Sequence, residues 1–419
     1  MTYRPVVTFT YFLDYALYGL NPWGFHLTNI LLHVINGVLL YLLFILIIKP
    51  AEGGIKLSSN QPLLISLLFI SHPVLTEGVN AISFREDLLM FTFYVTAFIL
   101  YIKSSVRLSS SKRISTIMVY GLSSCFYTLA LFSKEMAVTF PLVIILYEWL
   151  YSKKGKSLVS AIFNLHNIGF IITTLVYLYI RFYFFYNPVD RVDPVWQISE
   201  RLFTLPLMLL YYVKITIFPL SLSADYNLKA VILSSFQFIL SIAIILFILI
   251  GATLLRKKEH GLAFGVLFFV IALLPVYNIV PIGNPFAERY LYLPVLGYAY
   301  AGGLLINRAA SIFNKNHLLD IITVAILLMF AVLVVERNSV WRNEYSLWVD
   351  TLKKAPNSAR AHYGMGTAFF SKSMLDEAIE EYKTSISIAP YYPDAFKALG
   401  LVYYKKGMEV EGRDAMAAA

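Results

Sequence analysis

Cysteine is almost absent. Cys125 is the only one in 419 residues, which excludes a disulfide framework and a cysteine-based zinc site within one chain. It lies in an apolar run and is expected in the core. Charge is scarce as well. Only 14% of residues are charged against 58% hydrophobic, and the mean hydropathy is +0.68. A soluble domain carries about 25% charged residues, so this composition excludes one large soluble core and points to several membrane spans. No Gly-rich phosphate loop and no Ser-His-Asp pattern occurs, which argues against soluble-nucleotide chemistry. The opening MTYRPVVTF has no basic region followed by an apolar one, so the first span is expected to direct insertion without a signal peptide.

What charge there is sums to +9, with a pI near 9.2. The Lys and Arg residues fall mainly in short loops between apolar segments, as topology and anionic headgroups require, and no nucleic-acid partner is expected. Tyr and Phe gather near the ends of apolar runs, where an aromatic belt belongs.

Residues 1–26 are too polar to cross a bilayer. Phe9, Phe12, Leu13, Ala16, Leu17 and Leu20 nevertheless recur at helical spacing, with Thr10, Asp14 and Tyr18 opposite, which predicts a helix lying on the membrane surface. Spans are expected over about 27–48, 62–72, 88–102, 114–132, 136–151, 159–185, 231–255, 262–280, 290–306 and 318–335, about ten in all. The fourth and fifth form a tight pair joined at Ser133, Lys134 and Glu135. Segment 203–222 is apolar but holds Pro206, Lys214 and Pro219. If it lies at the surface, loops 49–61, 103–113, 152–157, 256–260 and 308–317 share one face with 14 Lys or Arg against 2 acids, while the opposite loops hold 7 against 9. The positive-inside rule favours that arrangement, with both termini and the mixed-charge clusters outside the cytoplasm.

From about residue 337 the chain turns polar and helical in period. Pro356 and Pro390 stand 34 residues apart, the period of the tetratricopeptide repeat. In that register Met365 and Gly366 take the Leu-Gly place, Phe369 the Tyr place, Ala378 the small packing position and Tyr382 the Phe position. Phe396, Leu399, Gly400 and Tyr403 begin the next copy. Such repeats stabilise one another by stacking and about three are needed, so this solenoid is expected to be incomplete or a short stub. The predicted fold class is all-α: a surface helix (1–26), a polytopic membrane helical bundle (27–336) and a short repeat solenoid (337–419).

Ionisable side chains cost about 2.5 kcal/mol or more at the centre of a bilayer, so a cluster beside apolar runs marks a candidate site. Four groups stand out. Glu77, Arg85, Glu86 and Asp87 fall within HPVLTEGVNAISFRED; the alternative is a salt-bridged interfacial turn. Lys134 and Glu135 sit at a hairpin mouth, where a lysine could hold phosphate as a point charge or pair internally. Glu288, Arg289 and Tyr290 follow Pro281, Gly283 and Pro285; Arg suits bidentate phosphate contact, or snorkelling at a helix end. Tyr3, Arg4, Pro5, Asp190, Arg191, Asp193, Asp225 and Tyr226 form a weaker group that surface solvation accounts for. His26, His33 and His72 are read as satisfied polar residues rather than metal ligands, because no local carboxylate completes a set.

The blocks YRPVVTFTYFLDYALYGLNPWGFHLTNILLH, LLFISHPVLTEGVNAISFREDLLMF, LALFSKEMAVTFPLVIILYEWL, ITIFPLSLSADYN, FAERYLYLP and RNSVWRNEYSLWVDTLKKAPNSARAHYGMG, in that order, closely resemble the transmembrane and tetratricopeptide-repeat protein O-mannosyltransferases of the glycosyltransferase-C superfamily. The resemblance implies an inverting transfer of a sugar, mannose in that family, from a polyisoprenyl phosphate to protein Ser or Thr outside the cytoplasm. It implies a lipid-phosphate donor as substrate, an acceptor protein and surrounding lipid as partners, and no resident cofactor, with a divalent metal still compatible. Arg85, Lys134 and Arg289, with Tyr290, are then the candidate lipid-phosphate contacts. Glu77, Asp87, Glu135 and Glu288 are the carboxylates available to accept the acceptor's proton. The family's proposed catalytic Asp precedes the first of these blocks and Asp14 is no substitute, so the chain is expected to be truncated or inactive. A bacterial cytoplasmic membrane and an endoplasmic reticulum both fit. The alternative is a non-catalytic membrane-anchored repeat scaffold; a transporter is disfavoured, since no repeated half-bundle is visible.

Overall fold

The computed structural model describes residues 3–48, 60–107, 113–151, 157–185, 197–226, 228, 235–256, 258–278, 282, 284–312 and 316–419, and among them there is no strand. Asp190, Arg191, Asp193, Pro281 and Gly283, with most of loops 49–61 and 152–157, lie outside the described residues. The chain divides into two compact units: 1–217 with 230–285 and 289–334, and 218–229 with 286–288 and 335–419.

The first unit opens with α1 (Pro5–Tyr18). Proline at the start suits its missing N–H, and Gly19, at φ +61°, ends it in a region a side chain disfavours. Asn21 then accepts from the Trp23 N–H and starts α2 (Pro22–Ile47). There follow α3 (Gln61–Ile70), a 3₁₀ turn, the short α4 (Thr76–Asn80), α5 (Arg85–Arg107) and α6 (Arg113–Leu131). A further 3₁₀ turn (Glu135–Thr139) leads into α7 (Phe140–Tyr151). Where one long span was expected over 159–185, Asn164 caps a new helix, so α8 (Leu158–Ile162) is separate from α9 (Leu165–Tyr179), which ends in a π turn.

Segment 203–222, expected to lie at the surface without spanning, is partly buried. It belongs largely to α10 (Ile198–Ile217), which packs along α11 (Phe236–Leu255) and buries Thr204, Met208, Tyr212, Ile215 and Thr216 despite Pro206. Then come α12 (His260–Leu273), α13 (Val295–Ile312) and α14 (Asn316–Val340). Helices α12 and α13 cross at Gly265 and Gly297, where a Cβ on Gly297 would stand 2.4 Å from the Gly265 carbonyl oxygen. Small residues permit that approach, as is usual between helices in lipid.

Among the described residues four helices, 22–47, 82–105, 165–184 and 236–255, are long and apolar enough to cross a membrane, and the bent pair 61–70 with 73–80 makes a fifth if counted as one span. Their outer faces are apolar: Phe247 and Leu254 on α11 are more than 70% exposed. Such a surface in water would be an aggregation hazard, and its natural solvent is lipid; the chain is a membrane protein. Cys125, expected in the core, is exposed on α6 for the same reason: beside lipid, an apolar run does not imply burial.

The second unit carries the repeats. Asn343 and Ser346 form a reciprocal capping box that starts α15 (Glu344–Lys354), and helix pairs α16 (Ala359–Ser371) with α17 (Leu375–Ile388) and α18 (Pro393–Lys405) with α19 (Glu409–Ala417) follow. Gly366 lets the Tyr382 ring lie where a Cβ would be 2.7 Å away. Ala378, Tyr382, Leu399, Val402, Tyr403 and Ala415 form the core between the pairs.

Candidate functional site

The turn from His72 to Arg85 is built by short helical pieces rather than a continuous span. Its proline and the following 3₁₀ turn bend α3 against the next helical piece by 49°, so the charged residues of α4 and the start of α5 are delivered to one end of the bundle. There the hairpin at Ser133 to Thr139 and the turn at Arg289 to Leu291 meet them. Lys134 Nζ lies 2.5 Å from Asp87 Oδ2 and 3.5 Å from Glu86 Oε1. Arg289 holds Glu77 twice, through Nη1 at 2.6 Å and its backbone N–H at 2.8 Å. The Tyr290 ring faces both cations, 5.4 Å from Lys134 Nζ and 4.9 Å from the Arg289 guanidinium carbon, and its hydroxyl donates to the Asn284 carbonyl. Lys134, Asp87, Glu77, Arg289 and Tyr290 therefore converge.

Arg85 is fully buried at the neighbouring junction of α1, α2 and α5. Its guanidinium binds Asp14 at 2.5 Å, Asn29 at 2.8 Å and the Phe25 carbonyl at 3.0 Å, and stacks 4.6 Å over Tyr11. Asp14, read from sequence as part of a solvated polar face, is buried by this contact. The polar side of α1 faces the bundle while Phe9, Phe12, Leu13, Leu17 and Leu20 stay exposed. Burial is the main influence on the Tyr11 phenol, against the lowering pull of Arg85, and pushes it up to about 12.

Of two further cations, the sequence reading missed Arg181 and placed Arg4 only in its weaker group. Arg4, taken there as a solvated surface residue, is half-buried and grips both Glu86 and Glu135, the latter at 2.9 Å. Arg181, in the π turn after α9, holds the other Glu135 oxygen at 2.9 Å. Burial works to raise the Glu135 carboxyl, but the Arg4 and Arg181 charges outweigh it and hold it below the ordinary carboxylate range. No local pattern marks Arg4 or Arg181 as site residues, because their partner is 131 and 46 positions away.

Glu288 belongs to the second unit and has three partners there. It accepts from the Ser223 N–H at 2.5 Å and the Tyr226 hydroxyl at 2.6 Å, and pairs with Arg337 at 3.3 Å. Burial and the Glu288 charge hold the Tyr226 phenol well above its usual value, so it stays a donor. Asp225 receives Ser358 at 2.6 Å in the same unit. These residues tie loop 218–228 to the first repeat helices.

In the first unit's cluster five cations (Arg4, Arg85, Lys134, Arg181, Arg289) face five carboxylates (Asp14, Glu77, Glu86, Asp87, Glu135). Asp87 Oδ1 is nevertheless buried with no hydrogen-bond partner, an unfilled acceptor in a dry place. Among the described residues no group of three His, Cys, Asp or Glu stands together as a metal set. His33 bonds Tyr292 and the Ile70 carbonyl, and His72 bonds the Thr216 carbonyl at 2.9 Å. Thr216 and Tyr298, whose ring packs edge-on against His72, also line a cavity of about 210 Å³ between α10, α11, α12 and α13, walled by Leu209, Val213, Ile245, Phe269 and other apolar side chains.

Comparison with known proteins identifies the lineage. The chain is 26% identical to the Caenorhabditis elegans protein O-mannosyl-transferase F38B6.6 over 93% of its length and 54% of that protein. It is 27% identical to human protein O-mannosyl-transferase TMTC4 over 91% of its length and 57% of that protein, and 25% identical to human TMTC1 over 95% and 49%. This chain is a homologue of the TMTC proteins. It spans about half the length of the curated TMTC relatives it matches. A family model described as a TPR repeat matches residues 366–407, which run from Gly366 in the full copy of the register into the copy that begins at Phe396. No solved structure matches.

Proposed function

We propose that the chain carries the membrane part of a protein O-mannosyltransferase that uses a polyisoprenyl-phosphate sugar as donor. The observation that carries this reading, beside the names of the relatives, is that one unit holds both a buried charged cluster and a largely apolar cavity, whose Thr216 and Tyr298 pack on His72 at the start of the turn that carries Glu77. A lipid-linked phosphate sugar needs both: cations for the phosphate, and a greasy channel for the isoprenoid. Lys134 and Arg289, flanking Tyr290, are the phosphate contacts; Arg85 is given over to Asp14 and acts by positioning α5. Asp87, with one oxygen on Lys134 and the other unpartnered, is the carboxylate suited to take the acceptor's hydroxyl proton as that oxygen attacks the anomeric carbon and the polyisoprenyl phosphate departs. The chain crosses the membrane several times, with this cluster and the repeats on the non-cytoplasmic side, where the repeats engage the acceptor polypeptide.

The test is transfer of labelled mannose from polyprenyl-phosphate mannose to acceptor proteins by the full chain in proteoliposomes. Transfer that falls at least about tenfold in Asp87→Asn, the loss of roughly 1.4 kcal/mol of transition-state stabilisation, supports the reading. A full chain with no transfer from any polyprenyl-phosphate sugar sinks it. A second reading, a membrane-anchored scaffold, is favoured by one feature: every cation of the cluster already has a carboxylate, as a structural ion-pair network requires. Undiminished binding of acceptor proteins by a chain that neither binds nor consumes the donor would establish it.

A further inference from the structure

A second pocket, unrelated to the charged cluster, lies between the first turns of α3 and α14. It has a volume of about 160 Å³ and is lined by Asn60, Gln61, Leu63, Leu64, Leu67, Asp320 and Thr323. Gln61 is only 1% exposed, yet neither its Oε1 nor its Nε2 has a hydrogen-bond partner. A buried polar group left unpaired costs about 1–3 kcal/mol, so a side chain with both ends unpaired is poorly accounted for by the protein alone. Its amide lies against Gly303 of α13: a Cβ there would be 3.2 Å from Nε2. One turn further along α13, the buried Asn307 also leaves its Nδ2 without an acceptor. A side chain at 303 would crowd that amide, and Ile65 more closely still, at 2.6 Å.

The unmet groups define what would fill the pocket. Gln61 Oε1 and the Asp320 carboxylate call for N–H donors with positive charge. Gln61 Nε2 and the first-turn N–H groups of Gln61 and Leu63, which have no acceptor within their own helix, call for an anionic oxygen; Pro62 has no N–H and the Leu64 N–H donates to the Asn60 carbonyl. Among the described residues that line the pocket the one charged group is Asp320, so a purely anionic ligand would face its carboxylate. A primary ammonium next to a phosphate meets every requirement. A trimethylammonium does not, because it has no N–H to give Gln61 or Asp320. Leu63, exposed on the outer face of α3, continues the pocket into an apolar surface where an acyl chain can lie.

We propose that this pocket binds the headgroup of a phosphatidylethanolamine-class lipid, with its ammonium at Asp320 and Gln61 and its phosphate at the first turn of α3. The proposal is independent of mannosyl transfer, and its readout is lipid retention rather than activity. The full chain is reconstituted in nanodiscs of mixed phosphatidylethanolamine and phosphatidylcholine, released into detergent, and its retained lipid counted by native mass spectrometry. Wild type should keep phosphatidylethanolamine in preference to phosphatidylcholine. Asp320→Asn and Gln61→Leu should each reduce that preference about tenfold, the weight of one charge-assisted hydrogen bond. Asp320 is exposed, so its variant keeps the fold and decides the matter even where Gln61→Leu does not fold. Equal retention of the two lipids, or an Asp320→Asn variant with unchanged preference, would overturn the proposal. So would displacement by free O-phosphoethanolamine at the lipid's own concentration, which would point to a soluble ligand.

Discussion

Taking the amine off residue 134 would leave Asp87 charged and dry, since its other oxygen already lacks a partner. Breaking one side of a buried pair costs about 3–5 kcal/mol, so Lys134→Ala is expected to unfold more readily in detergent, as read by a thermal or denaturant midpoint. The double variant Asp87→Asn with Lys134→Met should recover most of that loss while leaving the proposed mannosyl transfer abolished. If the two losses simply add, the pairing is not what the lysine supplies. Glu135 offers a pH test. Its carboxyl is depressed by Arg4 and Arg181, so its contribution to stability is present above the ordinary carboxylate value of about 4.3 and fades as pH falls through the depressed one. The side chain is a third exposed, which limits that contribution to about 1 kcal/mol. Melting of Glu135→Gln should therefore lie below wild type at neutral pH and converge with it in acid; a gap that persists in acid would assign the residue a packing role instead. At this scale Glu77, Arg85, Glu86, Asp87, Lys134 and Arg289 were legible because charge between apolar runs is rare. Their pairing was not. Which carboxylate meets which cation depends on helices packed from distant parts of the chain, and Glu288 shows how far adjacency misleads: it stands beside Arg289 in sequence, yet it makes its contacts with Ser223, Tyr226 and Arg337 in the second unit.

Helices were legible wherever a period was clean. Residues 5–18 carry an apolar stripe at helical spacing and form α1. What the period could not tell was which face meets protein: here the polar one does, through Arg4, Tyr11 and Asp14. The crossing of α12 and α13 likewise left little trace, since two isolated glycines among apolar residues do not announce a contact. A valine at Gly297 would set its Cβ within 3 Å of the Gly265 carbonyl and the Phe269 nitrogen, and neither backbone atom can step aside. Gly297→Val should lower stability by about 1–3 kcal/mol, the usual cost of overpacking, and collapse the adjoining apolar cavity. Binding of the proposed lipid-linked donor to that variant should weaken with it, whereas Gly302→Ala, with open space around its Cβ, should change neither.

For the molecule as a whole, membrane unit and repeat unit make separate predictions. Gly364 lies against the Trp348 ring, with a Cβ there 2.1 Å from the indole, so Gly364→Val should open the junction of α15 and α16. Limited proteolysis should then cut within residues 335–419 while the helices of the first unit stay protected; protection equal to wild type would show that the indole can move aside. The sequence by itself determined the all-α class, the lipid-facing character of one part and the repeat character of the other, because hydropathy and a 34-residue period are properties of neighbouring residues. Only the tertiary structure decided that Arg4 and Arg181 join the charged cluster, that Asp14 is spent on Arg85, and that an unpartnered Asp87 oxygen remains. Those outcomes turn on ångström-scale distances between segments up to 131 residues apart, and no local pattern encodes them.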